Sequence, residues 1–324
     1  MATETQTARR AAVSVDAPPA ARIFALVALA ALLAGPFLLY PVFLMKVLCF
    51  ALFACAFNLL IGFAGLLSFG HAAFFGSAAY ISAHAAKVWG FPPELAILLG
   101  TASAAVVGVL FGLIAIRRQG IYFAMITLAL SQMIFFLALQ LKFTGGEDGI
   151  QAVPRGHLFG FIDLQNPLAM YYTVLAIFLF GFAIIWRTVH SPFGQVLKAI
   201  RENEPRAISL GYRTDQYKML AFVLSATLAG LAGATKALVF QLATLTDVTW
   251  QMSGEVVLMT LLGGMGTLFG PAVGAALVVT LQNYLAATNL PVTVVIGAIF
   301  VVCVLLFRRG IVGEIAHRLG LKRA

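Results

Sequence analysis

Ser77, Tyr80, His84 and Lys87 recur at i, i+3, i+7 and i+10, a spacing that lines them up along one face of a helix. Ser68 and His71 stand just ahead of them, and Thr127 and Ser131 form a second polar pair at i, i+4. Hydroxyls and imidazoles without carboxylate partners can hydrogen-bond a polar solute or tie helices together, but they do not make a nucleophile with its base. Any one of these residues is as well explained by a bond between helices. As a set they are the candidate lining of a solute pathway, because polar side chains are costly when they face lipid.

Bond-breaking chemistry has no comparable footing. Neither H-E-x-x-H nor G-x-S-x-G occurs, and His71, His84, His157, His190 and His317 have no metal-binding spacing. Glu147 and Asp148 are adjacent acids without further spaced oxygen donors, so they read as part of a solvated loop rather than a metal site. Cys49, Cys55 and Cys303 lie singly in apolar sequence, which argues against a disulfide framework. No Gly-Lys dipeptide exists, so the phosphate-cradling P-loop is missing. The expectation is a protein that is not an enzyme and needs no metal or cofactor.

The elements that must position these residues are membrane helices. Of the 324 residues, 61% are hydrophobic and 10% charged, and the mean hydropathy is +0.98, far outside the soluble range. The net charge of +9 does not point to nucleic acid, because the basic residues collect at segment ends and in one loop. Apolar segments run from Arg22 to Tyr40, Val42 to Ile61, the small-residue stretch from Gly62 to His84, Leu95 to Ile116, from just after Arg118 to about Leu141, Leu168 to Trp186 and Met219 to Leu242. Val256 to Leu262, Ala272 to Ala287 and Val292 to Phe307 follow. The chain is read as an all-α polytopic integral membrane protein of about ten crossings, eight at the fewest. Residues 1–21 form a polar tail expected to be disordered, 22–309 the membrane domain and 310–324 a basic tail. The N-terminal tail is long and holds Glu4 and Asp16, which favours a retained first span over a signal peptide. With both ends placed in the cytoplasm, the external segments hold only Lys46, Lys87, Lys142 and Arg155 as cations, the asymmetry expected of the positive-inside rule.

Two interruptions of the apolar pattern stand out. Residues 142–167 make a glycine-punctuated external loop. Residues 189–217 make a charged cytoplasmic one. Within the latter, Ser191 is a candidate N-cap and Pro192 suits the first helical position. Phe193, Val196, Leu197 and Ile200 then share one apolar face. Pro205 breaks the helix near Asn203, and Gly211 is a candidate stop for a second short helix. Arg201, Glu202 and Arg206 add charge. A membrane protein that builds such a loop presents it to a partner. The lack of intramembrane acids at span centres disfavours an ion- or proton-driven carrier, whereas energy supplied through a cytoplasmic partner fits.

Farther on, Gly263, Gly264, Gly266 and Gly270 form a structural glycine turn between two short apolar pieces. A discontinuous helix and a tight loop between two ordinary spans both satisfy that pattern. Lys236, near a segment end, is expected to snorkel. Phe69–Ala72 and Phe269–Ala272 echo one another as a faint internal repeat.

Several stretches together resemble the permease subunit of bacterial branched-chain amino acid ABC importers, the LivM type. They are G-F-A-G-L-L-S-F-G-H-A-A-F from Gly62, R-Q-G-I-Y-F-A-M-I-T-L-A from Arg118, T-G-G-E-D-G-I from Thr144, S-P-F-G-Q-V-L-K-A-I-R-E-N-E-P-R-A-I-S-L-G from Ser191, S-G-E-V-V-L-M from Ser253 and G-G-M-G-T-L-F-G-P from Gly263. They run in the family's order through most of Gly62–Pro271. Lys236 and the sequence after it are less typical of the family, which leaves the choice of substrate open.

The resemblance implies an inner-membrane importer subunit working with a related second permease, two cytoplasmic ABC ATPases and a periplasmic binding protein. It implies that the Ser191–Gly211 segment docks in the ATPase cleft. On that view Phe193, Val196, Leu197 and Ile200 fill an apolar groove of the ATPase and Arg201, Glu202 and Arg206 set orientation. Replacing Leu197 with Asp is then expected to spare membrane insertion and abolish transport. The alternative is a passive channel or carrier for small polar solutes that uses no ATPase.

Overall fold

Proline marks where the helices begin. The computed structural model describes residues 19–286 and 310–318, with positions 294, 295, 297, 298 and 301 between them. Most of the expected span Val292–Phe307 falls outside the described residues, as do the N-terminal tail up to residue 18 and the end of the basic tail. The first helix, α1, is Pro19–Leu38 and opens three residues ahead of the expected Arg22. Then come α2 (Pro41–Asn58), continued by a π-helical turn Leu59–Ala64, and α3 (His71–Lys87). They are followed by α4 (Pro93–Ala115), α5 (Ile121–Gln140) and α6 (Pro167–His190). Pro41, Pro93 and Pro167 each sit in the first helical turn, where the missing N–H costs nothing and the fixed φ is already helical.

The polar loop holds α7 (Pro192–Glu202) and α8 (Glu204–Ser209). The long α9 (Thr214–Phe240) follows, then α10 (Trp250–Gly263), α11 (Gly270–Ala286) and a short α12 (Ile311–Arg318). The loop between α5 and α6 contributes β1 (Ile150–Gln151) and a small hairpin of β2 (His157–Leu158) and β3 (Ile162–Asp163). A further strand, β4 (Leu242–Ala243), pairs antiparallel with β1. These two-residue pairs are the only strands among the described residues. All the rest of the described chain is helix and connecting turn.

Among the described residues, five helices are long and apolar enough to cross a membrane: α2 with its π turn, α4, α5, α6 and α9. Burial divides them. The α2 and α9 windows are 89% and 78% buried, whereas α4, α5 and α6 are 33%, 28% and 39% buried. The first two are therefore the core and the other three are the shell. Helix α9 packs on α2, α3 and α4, and α2 also packs on α6, α10 and α11. Small residues let these axes approach closely, which matters where water supplies no drive for helices to associate. A Cβ on Gly233 of α9 would collide with the Phe75 carbonyl, and one on Gly100 of α4 would meet the Ala78 carbonyl and Ala234. Buried rings fill what remains, with Phe53 and Phe75 at 4.5 Å and Phe74 edge-on to Phe222.

The glycine-broken region resolves as a helical hairpin. Gly263 of α10 lies against Gly270, and Gly274 of α11 against Met259, the register of two antiparallel helices joined by a tight turn. The first of them starts at Trp250, six residues before the apolar run at Val256, because Trp250–Glu255 carries mixed side chains that hide its helicity. The faint repeat has a structural counterpart. Both α3 and α11 start within one residue of a Phe-Gly pair, Phe69–Gly70 and Phe269–Gly270.

Candidate functional site

The loops sort to two ends of the bundle. At one end α7, the π turn and the glycine turn meet around Arg201. Its guanidinium donates a short hydrogen bond to the Gly62 carbonyl. A Cβ on Gly65, which sits at φ +76°, would come within 2.9 Å of the Arg201 Cγ, and one on Gly266 within 3.2 Å of its Nη1. The missing side chains are thus what admits the arginine. Asn58 ties the same turns from beneath: its Nδ2 donates to the Thr267 carbonyl at 2.8 Å, and its Oδ1 accepts from the Gly266 N–H at 3.0 Å. Gly264 in turn lies against Gly310, just ahead of α12. Gly263, Gly264, Gly266 and Gly270 therefore belong to one junction with Arg201.

The loop's local anatomy follows its caps. Ser191 accepts from the Gly194 N–H at 3.3 Å and Asn203 from the Arg206 N–H at 3.1 Å, so each short helix is capped by the residue before it. Asn203 is extended at φ −158°, which makes the break ahead of Pro205, and Gly211 turns the chain at φ +88°. Glu204 then meets the buried Lys218 of α9 at 2.5 Å. That pair pins α8 to the bundle.

The orientation of α7 differs from the sequence expectation. Leu197 and Ile200 are buried against this chain's own core, and Phe193 stacks on Tyr217 with ring centroids 5.6 Å apart. Phe193 and Val196 are half-buried. The apolar face of α7 thus seats the helix on α6, the π turn and α9, and its side chains are already used. What the loop exposes is Arg201 outside its guanidinium bond, Glu202, Pro205, Arg206 and Gly211, together with the apolar Ile208, Leu210 and Tyr212. Sequence periodicity identified the apolar face correctly but could not say against what it packs.

The polar residues expected to line a pathway do not gather in one place. His71 is fully buried, with Nε2 2.8 Å from the Ser225 Oγ, and Ser225 donates onward to the Ala56 carbonyl at 2.6 Å. This is a bond network between α3, α9 and α2. Ser68 accepts from the Gly70 N–H and Ser77 donates back to Phe74. Thr127 takes the Phe69 N–H at 3.1 Å while donating to Ala124. His84 and Lys87 bind the loop between α5 and α6. The His84 ring stacks on Phe143 at 3.8 Å, and the Lys87 ammonium donates to the Gln151 carbonyl at 2.7 Å. Tyr80 and Ser131 remain: both hydroxyls are buried and have no hydrogen-bond partner.

At that second end Lys236 does not snorkel. Its ammonium is clamped by both oxygens of Asp247 at 2.8 and 2.6 Å, and both residues are buried. Lys236 lies on the α9 face that packs inward, where only a counter-ion can meet its charge. The Asp247 carboxylate also accepts from the Thr244 N–H at 3.2 Å, which closes the turn after β4. Asn58, Lys218 and Asp247 were the residues that sequence reasoning passed over. Asn58 is the last residue of α2 before its π turn, a position that pattern counting treats as apolar helix.

No group of three or more His, Cys, Asp or Glu among the described residues could hold a metal ion. The geometry offers a helical loop seated on the bundle at one end and a buried ion pair at the other.

A family model described as branched-chain amino acid transport system / permease component matches residues 39–305. The chain is 25% identical over 288 residues to the high-affinity branched-chain amino acid transport system permease protein LivM of Escherichia coli K12, covering 82% of this chain and 68% of that one. To the LivM protein of Salmonella typhimurium it is 27% identical over 248 residues, or 69% of this chain and 58% of the relative. To the ribose import permease protein RbsC of Bacillus subtilis it is 28% identical over 239 residues, covering 68% and 70%. No solved structure matches. The family match spans most of the chain, including the Arg201 junction and the glycine turn, and so this protein belongs to the branched-chain amino acid transport system permease family.

Proposed function

We propose that the protein is the LivM-type membrane-spanning subunit of an ATP-binding-cassette importer for branched-chain or related amino acids. It is a multi-pass inner-membrane protein, and its N and C termini face the cytoplasm in this reading. Separate ATPase subunits supply the energy, a second related permease completes the channel, and a periplasmic binding protein delivers the solute. The relatives' names support this in different degrees. The LivM proteins name branched-chain amino acids, while RbsC names ribose.

The observation that carries the reading is the seat of the α7–α8 loop. Arg201 joins the loop to the π turn and the glycine turn, so a push on the loop reaches α2, α10 and α11 through one side chain. Coupling through such contacts needs a rigid element with two arrangements, and backbone held around an arginine is stiff. The burial of α7 changes which residues meet the ATPase. Ile208, Leu210 and Tyr212, with Glu202 and Arg206 as their charged rim, form the contact surface. Leu197→Asp places a charge inside the protein's own core and so tests folding rather than docking.

The informative variant is Ile208→Asp/Leu210→Asp. It is expected to insert normally and keep the permease pair together, yet lose co-purification with the ATPases and lose ATP-driven uptake of leucine. Normal uptake by that variant would remove the docking assignment. Uptake in vesicles stripped of ATPase would favour the passive channel instead.

A further inference from the structure

Five separate elements bring a polar side chain to one depth. Lys46 lies five residues into α2, Glu255 five residues into α10, Lys236 four residues from the end of α9 and Gln282 four from the end of α11. At 1.5 Å of rise per residue each sits about 6–8 Å beneath the end of the bundle opposite the Arg201 junction. Asp247 reaches the same layer from the turn after β4. Two ammonium groups and two carboxylates thus share one level inside a membrane helix bundle, where an ionisable residue is expensive and marks a functional site by default.

The two opposite-charge pairs are in different states. Lys236 and Asp247 are closed at 2.6 Å and buried. Lys46 and Glu255 stand on α2 and α10, which pack on each other, near enough for each charge to act on the other, but they form no ion pair, and both are half-buried. Gln282 lies beside the Glu255 carboxylate, and Lys236 contributes its field to Lys46. One further group points the same way. Gly76 of α3 packs against the Asp247 and Val248 backbone, and Tyr80 is one turn along on the same face. Its hydroxyl is buried, feels the Asp247 charge and has no hydrogen-bond partner. A buried hydroxyl left without a partner normally marks a place that water or a ligand fills.

We infer that the open Lys46–Glu255 pair is a binding site for the zwitterionic head of an α-amino acid. Glu255 takes the ammonium and Lys46 the carboxylate, while the closed Lys236–Asp247 pair backs the site and fixes its charge balance. The inference rests on the amino-acid importer reading and narrows it to this chain. Two positive and two negative groups leave no net charge, so a zwitterion satisfies both open members, whereas a ligand with one charge strands the other. An uncharged sugar strands both.

The test uses the complete importer in nanodiscs, without the binding protein, so that the membrane site is read directly. Retention of radiolabelled leucine is competed with leucine, leucinamide (no carboxylate) or 4-methylpentanoate (no ammonium). Each analogue is expected to compete about tenfold more weakly than leucine, the scale of one charge-assisted contact. In Glu255→Gln the gap between leucine and 4-methylpentanoate closes while the leucinamide gap remains. In Lys46→Met the opposite gap closes. The two variants are read independently, so poor insertion of one leaves the other decisive. Equal competition by all three ligands, unchanged ratios in the variants, or no saturable retention of leucine by the wild type overturns the site. ATP-driven leucine uptake with the binding protein present is measured in parallel. Its loss in the wild type sinks the importer reading, and its presence without the competition pattern sinks the site alone.

Discussion

At the α7 end Arg201 reaches a backbone carbonyl past glycines that make room for it, whereas at the opposite end Lys236 closes on a carboxylate inside the bundle. The arginine as a whole is exposed and its acceptor is neutral, so the contact can be remade in a shifted position at little electrostatic expense. The lysine is buried, and parting it from Asp247 would leave two uncompensated charges. A junction of the first kind suits an element that moves with a partner. One of the second kind suits an element that must keep its place. The turn bearing β4 is held further by its ladder with β1 and by Lys87 and Arg155, which donate to the Gln151 and Val239 carbonyls.

The contrast can be broken at the closed pair first. Asp247→Ala should cost about 3–5 kcal/mol, the scale of orphaning a buried charge, read as a fall in thermal midpoint of the detergent-solubilised protein. Lys236→Met/Asp247→Leu should recover most of that loss, since packed apolar side chains replace a buried pair nearly neutrally. A double variant as unstable as Asp247→Ala would mean that the turn, not the charge, is what matters. Next comes a pair of left-handed glycines at opposite ends. Gly65→Ala adds a Cβ against Arg201 and a strained φ of +76°, and should cost roughly 1–3 kcal/mol together with coupled uptake. Gly90→Ala has a similar φ of +67° with nothing near it, so it should cost at most about 1–2 kcal/mol and leave uptake intact. Equal transport in the two variants would show that the Arg201 approach is incidental.

Smaller effects sharpen the picture. Arg201→Lys retains the charge but loses the planar fork, and we expect slower ATP-driven uptake with assembly unchanged. Ser191→Ala removes the α7 cap and should lower stability by about 1 kcal/mol, visible in the same melting assay. No change in uptake for the lysine variant would shift the coupling role from the guanidinium to the surrounding glycine turns.

The long apolar helices, the starts that proline marks and the Ser191 cap of the polar loop were legible because they depend on neighbours in the chain. Hydropathy over about twenty residues, proline in a first turn and a Ser before an apolar face are local facts. The depth alignment of Lys46, Lys236, Glu255 and Gln282 was written in the sequence too, but only helix ends set to within a residue or two reveal it. Three things were decided by tertiary packing alone: the inward face of α7, the partner of Lys236 and the gathering of Gly62, Gly65 and Gly266 around Arg201. Each joins residues far apart in the chain. An apolar face is equally content against a neighbour or a partner, and a lysine near a helix end equally content in headgroups or beside an acid. Periodicity names the face, and only the fold says what covers it.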